Sequence, residues 1–197
     1  MKIAAQLYTT RDYQKDLEGF NDTIRRIKKI GYNAVHLSTI GDIPANEVKK
    51  VLDKYDMEVC VTHYPPDRII NDTQCVIEEH KLYNCGYVGL GQRIMTSKED
   101  ADAFLTEIIP AAKMIRDSGL KFVYHNHHHE FYRIGKNVTV MDYLLENTSP
   151  DVFGLLPDLY WLQCAGIDPK RFIEKNSNRI DVVPFKDMVA VFFYKPL

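Results

Sequence analysis

Four histidines and a glutamate close one otherwise apolar stretch of this chain, Phe122-Val123-Tyr124-His125-Asn126-His127-His128-His129-Glu130-Phe131. Imidazole and carboxylate gathered in one place can hold a divalent cation or move protons. As a donor set they suit Mn, Fe, Co or Zn better than Ca. The stretch opens as a strand, and side chains alternate along a strand, so His125 and His127 point the same way. Glu130 lies just past the strand, where it can ligate or act as a base. A plainer origin is open for each: a histidine at a strand end can simply be wetted. That suits His128 and His129 best, whereas His125 and His127 rise directly from the apolar run.

Strand and helix signals alternate along the whole chain and supply the frame for this cluster. Strands are expected over residues 2–8, 34–38, 58–64, 87–91, 122–126, 152–158 and 180–186, with residues 189–194 as a possible eighth. Between them, Leu17, Phe20, Ile24, Ile27 and Ile30 recur at helical spacing up to Gly31, and Pro44 opens a helix lined by Val48, Val51 and Leu52. Further helices run through Val76, Ile77 and Leu82, from Ser97 and Asp100 (a capping-box pattern) to Ser118, through Val140 and Leu144, and over 169–176. Serial β-α units predict an α/β fold with a parallel sheet and helices outside it. Seven units favour a TIM-type (β/α) barrel over an open two-layer sheet. A full barrel of this type takes about 250 residues. The expectation for residues 1–197 is therefore a single barrel domain of about seven units, incomplete at its C-terminal end.

Parallel barrels bind ligands at the C-terminal ends of their strands. Those ends here carry Gln6 and Tyr8, His36 and Ser38, His63, Gln92, the histidine cluster, Asp158, and Lys186 with Asp187. Such a polar set suits a small polyhydroxylated ligand held by many hydrogen bonds, with a divalent cation near the histidine–carboxylate group. Alternatives stay open: Asp158 as a helix N-cap, His36 and His63 as bonded core histidines, Trp161 and Tyr160 as packing residues, Lys186-Asp187 as a surface ion pair. His80, on a helix, reads as structural.

A net charge of -2 gives no basic footprint for nucleic acid or an anionic membrane, and no apolar run is long enough to span a bilayer. Four scattered cysteines without CxxC spacing read as reduced thiols of a cytoplasmic protein. An unpaired barrel edge makes a homo-oligomer possible.

Several segments together resemble the sugar phosphate isomerase/epimerase family, the xylose isomerase-like TIM barrels that include inosose dehydratases and keto-sugar epimerases. They are residues 31–38 (GYNAVHLS), 124–131 (YHNHHHEF), Asp158-Leu159-Tyr160-Trp161 with residues 165–169 (AGIDP), and residues 179–188 (RIDVVPFKDM). The resemblance implies proton abstraction next to the carbonyl of a sugar or cyclitol, aided by a divalent cation (Mn, Co, Zn or Mg). By position it implies His125 (or His127), Glu130 and Asp158 as metal ligands. It further implies Glu130, His127 and Lys186 as catalytic groups, and Gln6, His36, His63 and Trp161 as sugar-binding ones. Two departures from the family pattern are expected to matter. Pro184 stands where the family has a ligating histidine, and no eighth-strand glutamate follows. A catalytically silent barrel that keeps its sugar pocket is the alternative.

Overall fold

The computed structural model of the chain describes residues 2–186. Asp187 and the possible eighth strand at 189–194 lie outside the described residues. The apolar runs form β1 (Ala5–Gln6), β2 (Ala34–Ser38), β3 (Glu58–His63), β4 (Tyr87–Leu90) and β5 (Lys121–His125). They are followed by a small hairpin of β6 (Arg133–Gly135) and β7 (Val138–Thr139), and by β8 (Gly154–Leu156). The helices are α1 (Leu17–Ile30), α2 (Ala45–Lys54), α3 (Pro66–Asn71), α4 (Thr73–Tyr83), α5 (Lys98–Asp117), α6 (Val140–Glu146), α7 (Leu159–Cys164) and α8 (Pro169–Lys175).

Pairing is parallel in the orders β1-β2-β3 and β4-β5-β8. A parallel bridge between Tyr64 and Leu90 joins the two groups, and another carries the series from Leu155 to Ile180. The layout is that of the expected α/β barrel wall, with strand ends sharing one rim. Local signals explain the helix limits. Asp16 caps α1 by accepting from Gly19 N at 2.8 Å, and Gly31 ends it at φ 116°. Ser97 caps α5 by accepting from Asp100 N at 3.1 Å.

Three expectations need correction. The first strand is shorter than 2–8, because residues Leu7–Tyr13 turn into a 3-10 helix that lifts Tyr8 off the sheet. The strand expected over 180–186 is reduced to the single Leu155–Ile180 bridge. Pro184 has no N–H to give a ladder; its carbonyl instead accepts from Leu159 N at 3.3 Å. Finally, Pro65-Pro66 does more than break β3. Pro66 starts α3, since a proline is tolerated in a first helical turn.

The core lies mostly between sheet and helices. Phe104, Phe122, Tyr124 and Phe153 belong to one cluster, beside β4, β5 and β8, and Phe20, Ile24, Val35 and Leu37 to another, beside β2 and β3. A smaller cluster of Val61, Val123 and Leu156 with Val182 fills the concave face. One irregularity decides what reaches that face. Register between β2 and β3 shifts after Val35–Val59, so that His36 pairs with Val61. The bulge leaves Val59 against the helices but turns Val61, and with it His63, inward. Gly89 then clears the way, because a Cβ there would lie 2.0 Å from Thr62 O and 3.2 Å from the His63 ring.

Replacing Gly89 with Ala should therefore push β3 and β4 apart and lower stability by roughly 1–3 kcal/mol, the range for overpacking. Urea unfolding of the G89A variant checks this; an unchanged midpoint would mean the two strands do not approach so closely.

Candidate active site

The rim formed by the strand ends carries a continuous run of imidazoles. His36 and His63 meet with ring centroids 4.2 Å apart, His63 and His125 at 4.5 Å, His125 and His127 at 4.7 Å. His127 then stacks on His129 at 5.4 Å and leans on Trp161 at 5.0 Å. β2, β3 and β5 each deliver one of the first three, and the residues after β5 deliver the rest.

Asp158, with none of its surface exposed, anchors this run. It follows β8 and caps α7: Oδ1 accepts from Tyr160 N at 3.0 Å and Trp161 N at 3.4 Å. Oδ2 accepts from His125 Nε2 and from Lys186 Nζ, both at 3.1 Å. Its own amide donates to Asn126 Oδ1 at 2.9 Å. The N-cap description of Asp158 therefore holds. His125 Nδ1 also lies 3.1 Å from Gly91 O. Both His125 nitrogens thus lie against acceptor oxygens.

Glu130 sits apart from that pair. Its Oε1 accepts from Tyr124 OH at 2.7 Å, its Oε2 from His127 N at 2.8 Å, and His129 Nδ1 lies 3.4 Å away. Among the described residues, ligand atoms of His127, His129 and Glu130 lie within 4.8 Å of one another. His129 is only 8% exposed, so it is not the wetted surface residue expected of it. Lys186 pairs with Asp158 and lies 5.7 Å from the Trp161 ring centroid and 5.9 Å from that of Tyr8; the alternative pairing with Asp187 lies outside the described residues. Gln6, half-buried, ends β1 in register with His36.

His36 and His63 are not satisfied core histidines. Among the described residues, Nε2 of each is buried without a partner, as are Ser38 Oγ and Nδ1 of His127, His128 and His129. Burial, then the charge on His125, pushes His36 down to about 3 despite Asp158 nearby. Burial likewise takes His127 to about 3, His63 well below its ordinary value, and His129 lower. Burial raises the Glu130 carboxyl to about 7, against the opposing bonds from Tyr124 and His127. Burial works to raise Asp158 too, but the His125 bond and the His125 and Lys186 charges outweigh it and hold it low. His80 is structural as expected: Nδ1 donates to Val76 O at 2.6 Å, Nε2 meets Thr62 Oγ1 at 2.8 Å, and burial lowers its pKa.

Three contributors escaped the sequence. Gln14, fully buried, donates to Leu7 O and Ser38 O, both at 3.0 Å, and so braces the ends of β1 and β2. Tyr124 looked like a core residue, yet its hydroxyl holds Glu130. Asn126, inside the HNH motif, fixes the Asp158 backbone; its place between two histidines was the available signal.

A cation at the position implied by resemblance would need lone pairs on His125 and Asp158. Both His125 nitrogens are engaged, by Gly91 O and Asp158 Oδ2, the Asp158 oxygens meet four contacts, and Pro184 has no donor atom in its side chain. That pair does not fit a metal as it stands. A cavity of about 760 Å³ opens elsewhere, beside Lys2, Ile3, Tyr32 and Glu58, and carries none of these groups.

A family model described as xylose isomerase-like TIM barrel matches residues 24–193. Among solved structures, a sugar phosphate isomerase/epimerase from Parabacteroides distasonis superposes with a TM-score of 0.78 at 20% identity, over 92% of this chain and 73% of that one. A D-allulose 3-epimerase from Methylomonas sp. gives 0.70 at 11% identity, over 93% and 71%. A xylose isomerase-like TIM barrel protein from Mycobacterium smegmatis, in complex with magnesium, gives 0.71 at 12%, over 94% and 74%. No curated protein matches the chain. Identities this low speak to fold alone.

The depressed histidines set a pH dependence of stability. His36, His63, His80, His127 and His129 are all lowered, so below about 6.5 the unfolded chain binds protons that the folded one refuses. Stability must then fall as pH falls. Glu130, raised to about 7, acts in the opposite sense, but it is one group against five. Denaturant midpoints at pH 7.5, 6.5 and 5.5 should decline in that order; a flat or rising series would mean these imidazoles are not neutral in the fold.

Proposed function

This chain belongs to the xylose isomerase-like TIM barrel family, and on that premise we propose a sugar or cyclitol isomerase, epimerase or dehydratase that abstracts a proton next to a carbonyl. The observation that carries this is the placement of Lys186 on buried Asp158, facing a rim of neutral imidazoles with unpaired nitrogens. A polyol meets acceptors there: Nε2 of His36 and His63 can each take a hydrogen bond from a substrate hydroxyl. Trp161, half-buried beside His127, offers a face for the apolar side of the sugar ring, and Gln6 lines the β1 end.

Lys186 is the group that meets the carbonyl oxygen and steadies the charge that develops there, while Asp158, itself bonded to His125, holds the ammonium in place. The proton from the adjacent carbon passes to the His127–Glu130 pair, whose members are tied by the His127 amide bond to the carboxylate. A divalent cation (Mn, Co, Zn or Mg) would polarise the same oxygen in the scheme the family implies. With His125 and Asp158 occupied by each other and by Lys186, no step here is routed through it.

Deuterium uptake from D2O into a panel of ketopentoses, ketohexoses and cyclitol ketones tests the proposal. Exchange at the carbon beside the carbonyl is expected, and Lys186→Met or Glu130→Gln should slow it by about a hundredfold or more. Saturation of the Asp158 oxygens favours a second outcome, sugar binding without turnover. Binding with no exchange across the whole panel would select it over catalysis.

A further inference from the structure

The cluster beside that pair has what His125 and Asp158 lack, namely open lone pairs. We propose that His127, His129 and Glu130 form a divalent-cation site of their own, separate from the His125–Asp158–Lys186 group. One ligand atom from each lies within 4.8 Å of the others. Nδ1 of both histidines is buried without a hydrogen-bond partner among the described residues, an unfavourable arrangement that a ligand relieves. His129 is 8% exposed, so its lone pair points into protein rather than solvent. It stands 3.4 Å from Glu130 Oε2. Two ligands with bonds of about 2.1 Å on a tetrahedral ion are separated by about that distance.

The surroundings fit the same role. Tyr124 OH donates to Glu130 Oε1 at 2.7 Å, which fixes the carboxylate and leaves Oε2 turned to the histidines, where it also accepts from His127 N at 2.8 Å. His127, half-buried at the rim, gives an ion its way in. Two imidazoles and a carboxylate select Zn, Co or Mn over Ca. The site does not rest on the proposed reaction. An ion held here takes up lone pairs that the His127–Glu130 proton transfer uses, so loading and turnover compete.

The test is a Co(II) titration of the untagged, metal-stripped chain without substrate, read by visible absorption and by thermal unfolding. Expected are d–d bands saturating at one equivalent and a raised Tm, both lost in His129→Gln and both kept in Asp158→Asn. Should D158N fail to fold, His125→Gln serves in its place, and circular dichroism establishes that H129Q is folded. Bands that survive H129Q, bands lost in folded D158N or H125Q, or no bands at millimolar Co(II) would each overturn the proposal. Because no substrate is present, none of these results touches the reaction proposed above.

Discussion

A carboxylate removed from water is tolerable only when its lone pairs are met, and in this protein the burial of Asp158 organises everything around it. Four groups from three places converge on it: the first amides of α7, the β5 histidine, and Lys186 from the segment that follows Ile180. Asn126 fixes its backbone from the far end of β5. The strands need not have produced any of this for stability alone. They bring β5 and β8 into register, Val123 beside Gly154 and His125 beside Leu156, and the polar ends of both then fall together.

The charge placed there governs its neighbours. The Lys186 ammonium sits against Asp158, with His125 beside it, in a poorly solvated setting. Protonating another imidazole nearby becomes unfavourable, which adds to the burial that already holds His36, His63 and His127 neutral. Neutral imidazoles with free nitrogens are acceptors, and a ring of acceptors is what hydroxyl-rich ligands offer donors to. The same nitrogens lack partners among the described residues, so the rim retains polar atoms that the described fold leaves unsatisfied. Such local discord is expected where a site, rather than a core, has been built.

Glu130 shows the same tension from another direction. It is shut in beneath the histidines, with its carboxyl raised by burial and steadied by a tyrosine that otherwise belongs to the hydrophobic core. Tyr124 stacks on Phe153 at 5.4 Å and reaches Glu130 with its hydroxyl, so packing of the core and placement of the carboxylate are one event. Pro184 has the opposite effect on its strand. Without an N–H it cannot extend a ladder, and the segment that brings Lys186 to Asp158 is held by one bridge, the bond from Leu159 N to Pro184 O and side-chain contacts instead.

The sequence by itself determined the α/β unit series, nearly every helix, and the rim on which the chemistry would lie. These depend on short-range patterns: period-two apolar runs, helical spacing, caps at Asp16 and Ser97, a stop at Gly31. It also singled out His125, Asp158 and Lys186, because polar residues ending apolar strands are conspicuous. Tertiary structure alone decided which of these residues meet. A one-residue bulge in β3 turns His63 inward, and no local pattern announces a bulge. Whether Glu130 joins His125 and Asp158 or joins His127 and His129 depends on the 3-10 turn His129–Phe131 and on the reach of Tyr124, both settled by packing at a distance. Residue types are written in the chain; the distances between their reacting atoms are set only when the strands close on one another.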